Sequence, residues 1–271
     1  MVTGAGGGIG SALVEALLEG GAKEVIALDR NAPDFSDPRV TAGALDITDP
    51  AAVAQVAARW SGRVSILINN AGVNANARLF TEDALRMARS EIEVNYLGTL
   101  AMMHAFAPSM VRKGSGHIVN LVSFVGLISG PGMAGYSASK AAAHMVTVAA
   151  RAELAPFRVK VLGIYPQVVD TEMSRQLNLP KLSPADLAGM TLSAIESGTS
   201  ELFPGPAAEA INFLRRDPEG SRPCSSSGLA HPARSFSNRR RTQWHSRTRS
   251  STRTATTFPA GSRARVTRIS F

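Results

Sequence analysis

Met1-Val2-Thr3-Gly4-Ala5-Gly6-Gly7-Gly8-Ile9-Gly10 opens the chain, and Ala12-Leu13-Val14-Glu15-Ala16-Leu17-Leu18 follows with apolar residues at helical spacing. The order is a very short strand, a glycine turn and a helix. Glycines let a backbone approach a pyrophosphate closely, and the N–H groups and dipole of a helix start favour negative charge there. A plain glycine-rich turn or linker would have the same composition. The strand and helix on either side are what a dinucleotide site requires.

Working outward, Glu24-Val25-Ile26-Ala27-Leu28-Asp29 reads as a second strand ending in a carboxylate, nineteen residues after Gly10. A carboxylate at that place suits the two ribose hydroxyls of NAD and repels the 2'-phosphate of NADP. Arg30 follows and could attract that phosphate, but Gly7 stands where a second cation would have helped. The expected cofactor is therefore NAD, with NADP the weaker alternative. A solvated turn residue is the other reading of Asp29.

Strand-like runs near 24–28, 38–44, 64–69, 116–122, 158–164 and 200–203 alternate with helical patterns near 9–19, 50–60, 82–113, 136–154 and 184–197. This is βαβ winding, and it predicts an α/β Rossmann fold, a doubly wound parallel sheet with a ligand crevice at the carboxyl ends of the strands. Neither an internal repeat nor a second folded domain is visible.

Gly135-Tyr136-Ser137-Ala138-Ser139-Lys140 places a tyrosine and a lysine four residues apart, with Ser123 thirteen residues before the tyrosine. On a helix the pair shares one face, so an ammonium can sit beside a phenol and favour its ionised form. A phenol so tuned works as an acid or base near neutral pH. Alone, such a pair more often means one buried ring and one solvated amine.

Together these motifs resemble the short-chain dehydrogenase/reductase family over about residues 1–216. Thr3-Gly4-Ala5-Gly6-Gly7-Gly8-Ile9-Gly10 fits its Thr-Gly-x-x-x-Gly-x-Gly loop, and Asp46 in Leu45-Asp46-Ile47-Thr48 fits its adenine-contacting aspartate. Asn69-Asn70-Ala71-Gly72 after the strand Val64-Ser65-Ile66-Leu67-Ile68 fits its Asn-Asn-Ala-Gly, Asn95 in Val94-Asn95-Tyr96-Leu97-Gly98 its helix asparagine, and Ser123 its serine. The resemblance implies hydride transfer between a nicotinamide and a secondary alcohol or ketone. Tyr136 would give and take the proton, Lys140 would lower its pKa and hold ribose hydroxyls, Ser123 would bind the substrate oxygen, and Asn95 would hold a water linking Lys140 to solvent. Cofactor contacts are implied for Gly4, Gly8, Ile9 and Gly10, for Asp29, Arg30, Asp46 and Ile47, and for Asn70, Ala71 and Gly72. Further along they fall on Tyr136, Lys140, Pro166, Val169 and Thr171.

Two departures stand out. Gln167 follows Pro166 where the family has glycine, adding bulk near the nicotinamide. The first strand has only Met1, Val2 and Thr3 where family members have about five residues more. Each missing buried side chain would have contributed about 1.5–3 kcal/mol, so a truncated first strand predicts a weakened fold. A protein that binds NAD without turnover is the alternative consistent with both.

The substrate is expected to be lipophilic or of medium size, because Val125, Leu127, Ile128, Met133, Met173 and Leu177 are apolar in the segments that would line its cavity. Leu100–Ala107 and Ala141–Ala150 are apolar around most of their circumference. In the family these helices build dimers and tetramers, which implies a homodimer or homotetramer here.

With 271 residues and 44% hydrophobic content the chain can bury a substantial core. No apolar run reaches about 18 residues and no charged-then-apolar leader is seen, so neither a membrane partner nor secretion is expected. Cys224 is the single cysteine, which excludes an internal disulfide framework and makes the cytoplasm the expected compartment. Five scattered histidines have no metal-ligand spacing, and no metal is expected.

The net charge of +8 belongs to the end of the chain. Residues 221–271 hold eleven arginines and no Lys, Asp or Glu, leaving 18 basic against 21 acidic residues before them, a net of −3. The expected division is a domain over 1–220 and an Arg/Ser-rich disordered tail over 221–271. A polybasic arm for nucleic acid is one reading of that tail. The abrupt change after Glu219-Gly220 fits better an out-of-frame extension of an arginine-favouring coding sequence, so nucleic acid is not the expected partner.

Overall fold

A computed structural model describes residues 1–76, 78–130 and 132–216. The arginine-rich segment read as a tail lies outside the described residues. Seven parallel strands form one sheet in the order β3-β2-β1-β4-β5-β6-β7. They are β1 (Val2–Thr3), β2 (Val25–Asp29), β3 (Val40–Ala44), β4 (Ile66–Asn69), β5 (Gly116–Leu121), β6 (Val159–Ile164) and β7 (Glu201–Leu202). The order reverses between β1 and β4, where a doubly wound sheet opens its ligand crevice.

Alternation along the strands sends side chains to two cores. Val25 and Ala27, Ile68, Val119 and Leu121, and Leu162 and Ile164 pack on one face with α1 (Gly8–Glu19) and α6 (Pro184–Ser197). Ile26 and Leu28, Leu67, Ile118, and Val159 and Val161 pack on the other with α2 (Pro50–Trp60) and α4 (Thr99–Lys113). α5 (Ala134–Leu154) lends Val146, Ala150 and Leu154 to that second face. β1 is as short as the sequence indicates. Met1 and Val2 are nonetheless buried, and the Met1 amino group donates to the Ile66 carbonyl at 2.8 Å.

Local chemistry sets most helix ends. Asp49 Oδ1 accepts the N–H groups of Ala51 and Ala52 to start α2, with Pro50 in the first turn. Ser183 caps α6 by accepting from Asp186 N–H at 3.0 Å, again ahead of a proline. Gly114 and Gly198 end α4 and α6 in the left-handed region, at φ 63° and 70°.

The helix predicted over 82–113 is not continuous. α3 (Ala84–Ile92) gives way to a π-helical turn, Glu93–Gly98, before α4 begins. Asn95 lies within that turn with its side chain tied to Val73, and Gly98 sits so close to Ile47 that a Cβ would lie 2.6 Å from Cδ1. Such wide turns are common at functional sites. α7 (Pro206–Arg216) was not predicted from the sequence.

Candidate active site

The glycine turn is braced by its neighbours. Gly4 has φ 65°, and a Cβ on it would lie 2.7 Å from Ala71 Cα; one on Gly10 would collide with the Gly4 carbonyl. These two positions admit only glycine. Asn70 Nδ2 donates to the carbonyls of Thr3 and Gly4 at 3.1 and 2.9 Å. The Thr3 hydroxyl accepts the N–H groups of Asn70 and Ala71 at 3.1 and 3.2 Å. The end of β4 thus holds the turn after β1 in place.

α1 starts at this turn with no side-chain cap and no acidic residue in its first turn. Its leading N–H groups are left for an anion, with the helix dipole behind them. Thr171 Cγ2 would be 3.3 Å from a Cβ on Gly8, so the Thr171 loop closes the same end. Asp29 stands beyond, Oδ2 accepting from Gly6 N–H at 3.0 Å and Oδ1 from Arg30 N–H at 2.7 Å. Asp46 Oδ1 takes the N–H and hydroxyl of Thr48, and these bonds, with some help from Arg30, hold its carboxyl below the ordinary range. Ile47 is buried against Gly98. This cradle fits a dinucleotide, with uncapped amides for a pyrophosphate and a fixed carboxylate for ribose hydroxyls.

Ser123, Tyr136 and Lys140 meet at the carboxyl end of β5. Ser123 is buried; its hydroxyl accepts Val125 N–H and donates to the Pro166 carbonyl, both at 3.4 Å. Those contacts are long, so the oxygen keeps capacity for a stronger partner. Lys140 is 5% exposed and its Nζ donates to the Leu121 carbonyl at 2.7 Å. A Cβ on Gly72 would lie 3.4 Å from that Nζ and 3.1 Å from Asn95 Oδ1, which places the Asn-Asn-Ala-Gly turn directly over the lysine.

The expected acidification of the phenol is not what this geometry gives. Burial pushes Tyr136 up to about 12; the Ser123 hydroxyl works against the rise and the Glu91 carboxylate adds to it. Lys140 Nζ stands 5.8 Å from the centre of the tyrosine ring, and burial lowers its own pKa to about 8. The pair shares a helix face as spacing predicts, but in this state the ammonium is committed to Leu121.

Asn95 is bonded on two sides. Its Nδ2 donates to the Val73 carbonyl at 2.8 Å and to Ser139 Oγ at 2.9 Å, while Oδ1 accepts Val73 N–H at 2.8 Å. Ser139 Oγ in turn donates to the Tyr136 carbonyl at 2.7 Å. These bonds make the side chain a brace between the loop after β4 and the start of α5. Ser139 and Thr3 were quoted only as parts of motifs. Their full burial is the signal that gives each a bracing role, and it is legible only in three dimensions.

Pro166 is buried with its carbonyl accepting Phe124 N–H at 2.9 Å, and Gln167 is exposed. Val169 is buried; its carbonyl accepts Ser174 Oγ at 2.6 Å, which also reaches Thr171. Val125, Leu127 and Ile128 line a cavity of about 330 Å³ with Ser137, Ala138 and Ala141, on the side of α5 turned away from Tyr136 and Lys140. Met173 is 49% exposed.

Residues 1–181 match the family described as short chain dehydrogenase. The chain belongs to the short-chain dehydrogenase family. A short-chain dehydrogenase from Burkholderia cenocepacia J2315, solved in complex with NADP, is 42% identical and superposes with a TM-score of 0.77, covering 81% of this chain and 93% of that one. One from Streptomyces avermitilis is 31% identical, TM-score 0.72, over 82% of this chain and 92% of the other. An uncharacterized oxidoreductase of Staphylococcus aureus (strain MW2) is 36% identical over 207 residues, 72% of this chain and 89% of the relative. Among short-chain dehydrogenases the chain is thus an oxidoreductase with a nucleotide-binding fold. Among its described residues no helix is long and apolar enough to cross a membrane, and no cluster of His, Cys, Asp or Glu could hold a metal ion.

Proposed function

We propose that this chain interconverts a secondary alcohol and a ketone with a nicotinamide dinucleotide, taking NAD in preference to NADP. The observation that carries the reading is the meeting of Ser123, Tyr136 and Lys140 below Gly72, at the crevice that the glycine turn opens. The dinucleotide, when bound, supplies or accepts the hydride.

The chain's own groups do the rest. Tyr136 gives its phenolic proton to the ketone oxygen during reduction and takes it back during oxidation. Ser123, weakly engaged in this state, holds the same oxygen and steadies the charge that develops on it. Lys140 brings positive charge to a phenol that burial alone makes a poor acid, and with Gly72 at its tip it can grip the cofactor's ribose. Asn95 fixes the distance between the loop after β4 and the helix that carries both.

Asp29 supports the preference for NAD: its carboxylate is held in place by two backbone N–H groups and would repel a 2'-phosphate. The Burkholderia relative bound to NADP argues the other way. Titration with NADH and NADPH in parallel, followed by cofactor fluorescence, tests the reading. NADH binding at least about tenfold tighter, with Asp29→Ser reducing the gap, is expected; equal or tighter NADPH binding would reverse the preference. A lipophilic substrate rests on the apolar sequence of the segments after Ser123 and Thr171 alone, since Val125, Leu127 and Ile128 line a cavity on the far side of α5; a cytoplasmic setting goes with a single cysteine. Met145 and Val148, 63% and 36% exposed on one face of α5, support self-association as a dimer or tetramer.

A further inference from the structure

His144 lies one helical turn beyond Lys140 on α5, and its Nδ1 is 2.8 Å from the hydroxyl of Tyr165. Either group can supply the proton of that bond. Tyr165 directly follows β6 and is fully buried, its ring stacked on Phe203 at 4.7 Å and set edge-on to the imidazole at 5.5 Å. The bond therefore joins the helix that carries Tyr136 and Lys140 to the end of the strand beside β5.

Ser123 hangs on that same stretch. Val122 N–H donates to the Ile164 carbonyl and Phe124 N–H to the Pro166 carbonyl, both at 2.9 Å. The amides on either side of the serine are thus bonded to the residues on either side of Tyr165. Where Tyr165 sits decides where Ser123 sits, and the hydroxyl of Tyr165 is fixed to α5.

Packing alone does not need this bond. A phenylalanine at 165 would fill the same space, stack on Phe203 in the same way and bury no hydroxyl in need of a partner. α5 has other ties to the sheet, and they act elsewhere. Arg151 Nε donates to the Val161 carbonyl at 3.1 Å, nearer the start of β6, and Thr147 accepts from Asn120 in the body of β5 at 2.9 Å. Lys140 is bonded to the Leu121 carbonyl, a bond it gives up in order to grip a ribose. The tie from His144 to Tyr165 stands whichever way Lys140 turns.

We propose that His144 and Tyr165 are positioning residues, whose bond between α5 and the end of β6 sets the distance from Ser123 to Tyr136 so that both reach one substrate oxygen. The role rests on the acid–base reading given to Tyr136 and Ser123.

Tyr165→Phe removes the hydroxyl and keeps the ring, and His144→Leu removes its partner. Amide hydrogen exchange in the nucleotide-free protein reads the seat of Ser123 without any turnover. Exchange at Val122 and Phe124 is expected to speed by about tenfold in Tyr165→Phe, measured against the amides of β2 at the other end of the sheet. In ketone reduction, kcat is expected to fall by about tenfold in either variant and no further in the double variant, with nucleotide affinity unchanged. His144→Asn, which puts an amide where Nδ1 stands, retains most of the wild-type kcat; a purely space-filling role would instead favour the leucine. Tyr165→Phe decides by itself where His144→Leu fails to fold. Unchanged exchange at Phe124 in folded Tyr165→Phe, or losses that multiply in the double variant, would overturn the proposal. Faster exchange in a chain that reduces no ketone leaves the hold on Ser123 standing and overturns its part in catalysis together with the reaction.

Discussion

At the scale of residues, the tension is between what stabilises the free chain and what the chemistry needs. Lys140 is an ammonium buried almost completely, and its pKa falls to about 8 from an ordinary 10.5. The folded chain therefore loses a proton as pH rises through about 8 while the unfolded chain keeps it to about 10.5, so this residue's burden on stability is full below 8 and is relieved between the two values. At neutral pH it costs about 3 kcal/mol, against which the bond to Leu121 gives back about 1–3 kcal/mol that a replacement would forfeit. Lys140→Met should accordingly unfold at slightly higher urea than the wild type near pH 7 and at lower urea near pH 10, while losing turnover. Equal midpoints at both pH values would show that the ammonium is better solvated than its burial indicates. The identities of Ser123, Tyr136 and Lys140 could be read from spacing alone. Their protonation could not, because it depends first on burial beneath other elements, and for Tyr136 then on the Ser123 hydroxyl and the Glu91 carboxyl.

At the scale of elements, the site is held by contacts between segments about seventy residues apart in sequence. Thr3 at the end of β1 accepts two N–H groups from the turn after β4, and Asn70 returns two hydrogen bonds. Thr3→Val preserves shape and strands both N–H groups, at a cost of about 1–3 kcal/mol. The expected outcome is a lower urea midpoint together with nucleotide affinity weaker by about tenfold; a midpoint shift without any change in affinity would separate this latch from the cofactor site. Strand and helix positions were legible because apolar alternation and capping residues such as Asp49 and Ser183 are local signals. The π-turn at Glu93–Gly98 was not, since 82–113 has unbroken helical periodicity. That turn is held by contacts with Val73, in the loop after β4, and with Ile47, in the loop after β3. α7 was open to the same local reading, since Pro206–Arg216 is strongly amphipathic and opens on a proline.

At the scale of the whole molecule, a parallel sheet whose order turns at β1 and β4 opens a crevice, and the glycine turn, the Asn-Asn-Ala-Gly turn and Ser123, Tyr136 and Lys140 gather at its edge. Asp29 stands beside the glycine turn, and β5 and α5 bring Ser123, Tyr136 and Lys140 to the same edge. The substrate side was least legible, because its apolar residues occupy flexible-length connections whose course no periodicity dictates; Val125, Leu127 and Ile128 turn to the far side of α5. The exposed Met145–Val148 face of α5 predicts a dimer or larger species in analytical ultracentrifugation, and a monomer at high protein concentration would contradict it. The central claim is that Tyr136 moves the proton in a nicotinamide-dependent ketone reduction. Its most direct test is the loss of nicotinamide absorbance from NADH and NADPH with a panel of apolar ketones, for the wild type and Tyr136→Phe side by side. Turnover by the wild type, a loss of at least about 10²-fold in kcat for the variant, and unchanged nucleotide affinity in both are expected. Wild-type rates retained by Tyr136→Phe, or nucleotide bound tightly by a wild type that reduces none of the ketones, would contradict it.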